Sequence, residues 1–513
     1  MLEGKDASAF ITAFAAILAL SLVYALLESY RWQRKYKLPP ALPGAVPILG
    51  NLLQTPTSQH GHWALEQSRK LGDIFTVRFG MTTWIFLSSS KHIRNLLEKR
   101  AAIYCSRPEF SFTNDIMSDG CRMVLMQYKD RWRAMRKVMH NILSTRQRDT
   151  YKPYQDLESR HLLHDYLYNS DRWFSANARF SNSVIMSAVF GKRMDLDNPH
   201  TEELLESIEM FFAHSQPGTH LVDSFPILAK LPRALQWWRG EAEKNLDFTL
   251  RVYRREVEEV RARIAAGTQK DCFAKAFLES KEAKEFGETQ TLFTLGTLME
   301  AGTDTSRLSI TNILAAAATY RDWVVRAREK LDEVCGDAER LPGWEDKDSL
   351  PYITAAVKEG FRWRPNIADI GVPVALTKDD EYEGYRIPAG TVVTWSNWAV
   401  AMNSDEYEQP KRFWPERFMN EDLKNPLEGQ WGFGPGRRVC VGWNLGETNV
   451  WIAIARLIYC FDFIQDDNEP IDTMNIPIMG HEKAPFKLHI KPRSQKHAVL
   501  VERECAAAVS VTY

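Results

Sequence analysis

The stretch that decides the fold is residues 431–447, WGFGPGRRVCVGWNLGE, in which Cys440 follows three glycines and a proline. A helical pattern from Asn444 to Tyr459 begins directly after it. Glycine lacks Cβ and lets the backbone approach a flat ligand closely. A helix N-terminus and its amide N–H groups stabilise negative charge on sulfur, and Arg438 can pair with an acidic edge of the same ligand. The segment therefore predicts a thiolate that ligates the metal of a planar cofactor.

The composition narrows the class of protein. Hydrophobic residues make up 44% and charged residues 26% of the 513 residues, which is ordinary for a globular chain with a sizeable core. The net charge of -1 gives no indication of a nucleic-acid partner. Seven cysteines stand far apart without a Cys-x-x-Cys pair, which argues against a disulfide framework or a structural zinc site.

The cysteine loop resembles the cytochrome P-450 superfamily, whose pattern is Phe-x-x-Gly-x-Arg-x-Cys-x-Gly. All five positions are filled, by Phe433, Gly436, Arg438, Cys440 and Gly442. Val441 and Gly446 differ from the residues usual in the family, proline and alanine. The resemblance implies that haem is the cofactor, that Cys440 is its axial ligand, and that Arg438 and Phe433 lie beside it. A glycine-rich turn around a structural cysteine is the alternative interpretation.

Residues 300–306, EAGTDTS, interrupt a long helical pattern. They resemble the family's oxygen-activating helix, which implies that the Thr305 hydroxyl lies beside the iron and that Asp304 supplies it with protons. The same resemblance places Gly302 against the cofactor. A threonine hydroxyl can also bond a carbonyl of the preceding turn and bend the helix, so a bend without a catalytic role is the alternative.

Two further patterns support the resemblance. Trp132 and Arg136 are four apart and share a helix face, and in the family both reach a haem propionate; an amphipathic basic helix would give the same spacing. Many relatives place His or Arg where this chain has Val374. We therefore expect that propionate contact to be missing or supplied from elsewhere, with Arg438 as a candidate.

A buried ion network is predicted behind the cysteine loop. Glu359 and Arg362 are three apart on a predicted helix, and Arg417 lies in the later segment FWPERF. The family joins these three side chains. Removal of one member would leave an unpaired buried charge, at a cost of roughly 3–5 kcal/mol.

The N-terminus predicts a membrane anchor. Residues 7–27 are uncharged and long enough to cross a bilayer, and basic residues follow them. We divide the chain into this anchor, a basic and proline-rich hinge (28–50), a catalytic domain (51–493) and a flexible tail (494–513). By the positive-inside rule, the catalytic domain faces the cytoplasm. The resemblance to microsomal enzymes implies that the membrane is that of the endoplasmic reticulum. A cleaved signal peptide is the alternative.

The resemblance implies a mainly α fold with a smaller β-rich part, and monooxygenation of a lipophilic small molecule, in the manner of fungal microsomal enzymes of secondary metabolism. It also implies that a separate NADPH-dependent reductase supplies electrons. A haem-thiolate isomerase or dehydratase, oxidative desaturation or coupling, and a non-catalytic membrane-tethered haem-binding protein remain as alternatives. Candidate pocket residues, for each of which core packing is an equal interpretation, are Phe110, Phe112, Phe211, Phe212, Leu295, Met299, Ile367, Ile370 and Met479.

Overall fold

The computed structural model describes residues 35–144, 147–365, 369–476 and 483–511. The predicted anchor, the first part of the hinge, Ile367 and Met479 lie outside these residues. Among the described residues, no helix combines the length and the apolar character that crossing a membrane requires.

Helices dominate the structure, which confirms the predicted class of a mainly α fold. In chain order they are α1 (His60–Leu71), α2 (Ser90–Ile93), α3 (Asp130–Leu143), α4 (Arg148–Tyr168), α5 (Trp173–Phe190), α6 (Pro199–His214), α7 (Leu221–Ser224), α8 (Arg239–Ala265), α9 (Phe273–Glu279), α10 (Lys281–Glu285), α11 (Glu288–Thr319), α12 (Arg321–Cys335), α13 (Pro351–Trp363), α14 (Asn397–Ala401), α15 (Trp443–Cys460) and α16 (Gln495–Ser510). The long helix α11 is buried along most of its length between α5, α8 and α15.

The β-rich part combines strands from both ends of the chain. The strands are β1 (Ile74–Phe79), β2 (Thr82–Leu87), β3 (Tyr104–Ser106), β4 (Val374–Leu376), β5 (Asp380–Tyr382), β6 (Tyr385–Ile387), β7 (Val392–Trp395), β8 (Phe461–Gln465) and β9 (Leu488–Pro492). One sheet has the order β1-β2-β7-β4-β3, in which β2 and β7 are parallel. Strands β5 and β6 form a hairpin, in which they pair from Asp380↔Ile387 to Tyr382↔Tyr385. Segments far apart in sequence thus share one sheet.

Helix α11 is continuous, so the predicted interruption at residues 300–306 is wrong. The hydroxyl of Thr305 donates to the carbonyl of Ala301 at 2.7 Å, and Thr303 donates in the same way to Met299 at 2.8 Å. In both bonds the threonine hydroxyl competes with a backbone amide for a carbonyl of the preceding turn, but the helix does not open. Burial on nearly all sides holds α11 in helical form.

A cap of short segments packs against α8. Residues Ser111–Ile116 and helix α7 share a small apolar cluster with Trp238 and Ala242. The Phe112 ring stacks on His220 with centroids 3.5 Å apart, and His220 Nε2 lies 3.0 Å from His214 Nδ1. Burial lowers the pKa of His220 to about 4, which keeps this imidazole neutral. The cap is therefore held by neutral aromatic contacts.

The C-terminal residues form a packed helix where we expected a flexible tail. Helix α16 buries Leu500, Val501 and Cys505 against α4. Arg193 donates to the carbonyls of Ala508 at 2.7 Å and Val511 at 2.6 Å, where a helix C-terminus favours a cation. Apolar residues three and four apart form the buried stripe that makes this helix part of the core.

Replacement of Leu500 by alanine should therefore destabilise the protein. Leu500 is 1% exposed, so its truncation leaves a cavity and should lower the free energy of unfolding by about 2–5 kcal/mol. The matched control is Val499→Ala, because the side chain of Val499, the residue next to Leu500, is 49% exposed. Urea unfolding of both variants checks this; equal, small effects would show that α16 is not packed in solution.

Candidate active site

The cysteine loop is shaped by its glycines. Gly434 and Gly436 have φ of 74° and 65°, a region that side chains rarely adopt. A Cβ on Gly436 would lie 2.0 Å from the carbonyl oxygen of Leu97, so the loop packs directly on backbone. The amide of Cys440 donates to the carbonyl of Phe433 at 2.8 Å, which closes the loop. This sequence therefore fixes the place of Cys440 at the start of α15.

The surroundings of Cys440 suit a thiolate ligand. The residue is exposed at the surface of the loop, yet protein surrounds it closely enough for burial to raise the pKa of its thiol. The amide of Gly442, which caps α15, and the cation of Arg136 act against that rise. The sequence predicts an N–H donor and a helix N-terminus near this sulfur, and the structure adds the cation of Arg136.

Three arginines beside the loop have no carboxylate partner among the described residues: Arg107, Arg136 and Arg438. Arg136 donates to the carbonyl of Val439 at 2.6 Å. Arg438 donates to the carbonyls of Cys105 at 2.7 Å and Met126 at 2.8 Å. Its guanidinium lies 4.2 Å from the ring of Trp132, and its buried Nη1 has no hydrogen-bond partner. Burial lowers the pKa of Arg438 to about 10.

Arg107 is a site residue that the sequence analysis missed. Its side chain donates to the carbonyls of Val372 at 2.8 Å and Pro373 at 2.6 Å, directly before Val374. Val374 itself is a buried strand residue paired with Val393. Arg107 therefore brings a cation to the position where Val374 supplies none. The one feature of the sequence that could have indicated it is that Arg107 is a charged residue directly before a proline, at the end of a strand.

The facing wall of the site belongs to α11. Thr305 lies on the same cavity as Phe433 and Gly432 of the cysteine loop. This cavity, which is partly open to solvent, is also lined by Phe361 and Val450. The structure thus brings Thr305 and the cysteine loop to one cavity, and the role of Thr305 beside the iron stays a prediction.

Asp304 and Gly302 face other parts of the protein. Arg307 donates through Nε to Asp304 at 2.8 Å, and both side chains are buried. A Cβ on Gly302 would lie 2.7 Å from Ile185 of α5. The structure therefore gives Gly302 a packing role between α11 and α5, and the roles of Asp304 and Gly302 at the cofactor stay predictions.

The predicted ion network is present behind the loop. Glu359 is fully buried and accepts two hydrogen bonds from Arg362, both at 2.7 Å. Arg417 lies 3.1 Å from the same carboxylate, which also accepts the amide of Trp414 at 2.9 Å. Arg362 donates further to the carbonyls of Ala401 and Pro410. This buried charge is therefore fully partnered.

The pocket residues named from the sequence lie apart from this cavity. Those in the described residues belong to three separate apolar clusters, and the residues lining the cavity with Thr305 do not include them. Gly446, by contrast, faces Phe433, and a Cβ there would make an ordinary contact at 3.7 Å. The alanine usual at this position would fit as well.

The residues present fit haem. Cys440 offers one sulfur ligand, and groups of three or more His, Cys, Asp or Glu that could hold a metal are absent from the described residues. The unpartnered Nη1 of Arg438 and the three cations without a carboxylate match the negative propionates of the cofactor. A helical fold with such a loop facing Thr305 defines the class of haem-thiolate enzymes.

Comparison with known proteins agrees. The family model "Cytochrome P450" matches residues 39–490. Monooxygenase fogE of Aspergillus ruber is 32% identical, over 96% of this chain and 94% of its own. Monooxygenase verL of Clonostachys rogersoniana is 32% identical over 95% of this chain and 93% of its own. Monooxygenase yanC of Aspergillus niger is 32% identical over 98% of this chain and 97% of its own. The chain belongs to the cytochrome P450 family, and it is a haem-thiolate monooxygenase.

Loss of a propionate partner should weaken haem retention. Since a hydrogen bond to a charged group contributes about 1.5–3 kcal/mol, Arg438→Met and Arg107→Met should each release haem roughly tenfold to hundredfold faster. Haem transfer to apomyoglobin measures this rate. Arg437→Met, an exposed neighbour in the same loop, is the control; equal rates in all three variants would contradict the assignment.

Proposed function

We propose that this enzyme is a membrane-anchored monooxygenase that uses NADPH and O2 to hydroxylate, or otherwise oxidise, a lipophilic small molecule in fungal secondary metabolism. The observation that carries the proposal is the cysteine loop, which holds Cys440 at the start of α15 and whose residues Gly432 and Phe433 line the same cavity as Thr305. Bound haem supplies oxygen activation, and a thiolate ligand favours cleavage of the O–O bond. The relatives named monooxygenases favour this reaction over isomerisation or dehydration.

The protein's own residues would then have separate tasks. Cys440 would hold the iron, while Arg438, Arg107, Arg136 and Trp132 would hold the propionates. Thr305 carries a proton on Oγ1 at the cavity wall, directed in this structure to the Ala301 carbonyl. A small rotation of that hydroxyl would turn its proton into the cavity. The buried Asp304–Arg307 pair, one residue away, is the candidate relay that restores it.

Electrons would come from a separate NADPH-dependent reductase. Exposed basic residues lie next to the cysteine loop, namely Arg133 and Lys137 on α3 and Arg437 in the loop itself. A basic surface favours an acidic partner and speeds its association at low salt. The support for this partner is thus the positive charge of the surface nearest Cys440, where the reductase would bind.

Membrane attachment is supported by a surface outside the predicted anchor. Exposed apolar side chains lie at the end of the hinge and just after it, in the β1–β2 turn, and in the segment between α7 and α8: Ile48, Leu53, Met81, Ile227, Leu235 and Trp237. Backbone bonds join these segments, from Gly80 to Leu49 and from Met81 to Ser224, both at 3.0 Å. An exposed apolar patch continuous with the hinge fits a bilayer surface. We therefore place the catalytic domain at the cytoplasmic face of the endoplasmic reticulum membrane.

Membrane binding should depend on both elements. Deletion of residues 1–27 should weaken attachment, and Ile227→Asp with Trp237→Asp should remove most of what remains, because both side chains are more than half exposed. Flotation with phospholipid vesicles measures the bound fraction. Val325→Asp, exposed on α12, is the control. Binding that survives deletion and patch substitution together would contradict this placement.

Thr305→Ala should separate electron consumption from product formation. Without the hydroxyl, NADPH and O2 should still be consumed while product per NADPH falls about tenfold or more, since general acid catalysis contributes 10²–10⁴-fold. The control is Thr311→Ala, because Thr311 makes the same bond to a carbonyl at 2.9 Å but is buried. The product to be measured is first identified by comparing the metabolites of cells with and without the gene. Unchanged coupling in Thr305→Ala, or turnover without NADPH, would contradict the proposal.

A further inference from the structure

Phe112 of the cap is held twice by one turn of the chain. Its ring stacks on His220 with centroids 3.5 Å apart, and its amide donates to the carboxylate of Asp223 at 3.0 Å. His220 and Asp223 belong to the start of α7, where the Asp223 amide donates to the His220 carbonyl at 3.1 Å. The bond from Phe112 to Asp223 therefore ties the segment Ser111–Ile116 to α7 across 111 residues of sequence.

The carboxylate of Asp223 has no ion-pair partner among the described residues. Burial raises its pKa to about 7, and the neighbouring carboxylate of Asp115 adds to that rise. The amides of Phe112 and Ser111 favour the charged form of Asp223, but burial outweighs them. Asp223 therefore keeps its proton at pH values where an exposed aspartate, with a pKa of about 3.9, is ionised.

The other titratable groups beside Phe112 are two imidazoles. His214 Nδ1 lies 3.0 Å from His220 Nε2, and on α8 the Asn245 amide and the Glu241 carboxylate lie 3.0 Å and 3.9 Å from His214 Nε2. Burial lowers the pKa of both histidines, so both stay neutral near pH 7. Their protonation would break this contact as the pH falls, which is opposite in sign to the effect of a proton on Asp223.

The cap segment forms one wall of a cavity that reaches the haem-binding residues. Asn114 and Asp115 of the segment line this cavity together with Met126 and Trp132. The Met126 carbonyl accepts a hydrogen bond from Arg438 at 2.8 Å, and the Trp132 ring lies 4.2 Å from the same guanidinium. Displacement of the segment would therefore widen the space between the protein surface and the place assigned to the propionates. The remaining lining residues are Glu109, Gly120, Gln127, Lys129 and Arg131.

Proton binding and closure of the cap are linked. In the closed cap the Asp223 carboxyl is partly buried, and in an open cap it would meet water, where its pKa returns to about 3.9. Between these two pKa values the closed form binds more protons than the open form. The open fraction should therefore rise as the pH rises from about 4 to about 7, and it should level off above that range.

We propose that Asp223 is a proton-operated latch: its neutral form holds the segment Ser111–Ile116 on α7, and loss of the proton releases the segment and opens the cavity beside Trp132. The neutral carboxyl keeps an oxygen that accepts the Phe112 amide. Ionisation strengthens that bond but leaves a charge away from water and near Asp115, and the second effect is larger. The latch does not depend on the proposed function, whereas its control of access to bound haem does.

Hydrogen exchange tests the latch in the full-length holoenzyme without reference to catalysis. Because the Phe112 amide donates to Asp223, exchange in a peptide of residues 109–117 reports opening once it is corrected for the intrinsic pH dependence of exchange. Protection should fall about tenfold from pH 5.5 to pH 7 and level off above pH 7.5. A peptide from the buried helix α11 should show no such change.

Substitutions separate the charge of Asp223 from its packing. Asp223→Asn keeps an oxygen for the Phe112 amide without a titratable group, so protection should be high and independent of pH. Asp223→Ala removes the acceptor, so protection should be low at every pH. Asp115→Asn is the matched control, because it removes the neighbouring carboxylate and should move the transition to lower pH without abolishing it.

Ligand entry tests whether the latch controls the cavity. n-Butyl isocyanide has no group that titrates in this range, and it shifts the absorption band of reduced haem when it binds. Its association rate should rise about tenfold from pH 5.5 to pH 7 in the unsubstituted enzyme and stay low and constant in Asp223→Asn. A rate without this dependence would overturn the control of access. If the band does not shift at all, the haem assignment fails, and hydrogen exchange still decides the latch.

The sign of the pH dependence separates the latch from its alternatives. Protection that rises with pH would assign the effect to His214 and His220 and overturn the proposal. Protection that is constant over this pH range in the unsubstituted enzyme would overturn it as well. So would a pH dependence that survives in Asp223→Asn but is lost in Asp115→Asn, because Asp115 would then be the titrating group.

Discussion

A negatively charged sulfur at one place in a low-dielectric site is the constraint on which the rest of this structure depends. Cys440 is held there by the bond from its amide to Phe433 and by the turn through Gly434 and Gly436. The Gly442 amide and Arg136 oppose the rise that burial causes in the thiol pKa. The loop therefore supplies both the position and the charge stabilisation that a metal ligand requires.

Two other parts of the fold serve this position. The Glu359 carboxylate, with Arg362 and Arg417, ties α13 to the segment before the loop through partnered buried charge. Helix α11 presents Thr305 opposite the loop because small residues let it pack closely on its neighbours, with Gly302 on Ile185 and Gly296 on Tyr253. The rigid core thus fixes the position of the Thr305 hydroxyl relative to the cysteine loop.

Much of the site could be predicted from the sequence, because each motif carries its chemistry within a few residues. The cysteine loop and the Glu359 network are of this kind. What the sequence did not show depends on contacts between distant segments. Arg107 is recognised only by its bonds to the carbonyls before Val374, which are distant in the sequence. The burial of α16 also depends on a surface of α4 that no local pattern reveals. Conversely, the predicted break in α11 failed because tertiary packing outweighs a local preference of threonine.

The most direct test of the central claim is the difference spectrum of the reduced, carbon-monoxide-treated holoenzyme and of its Cys440→Ser variant. The variant keeps the shape of the loop and replaces sulfur with an oxygen that is a weaker donor. The unsubstituted enzyme should show the long-wavelength band that is diagnostic of thiolate-ligated haem, and the variant should lack it. A band that persists at this position in Cys440→Ser would show that another group holds the iron, and it would contradict the account.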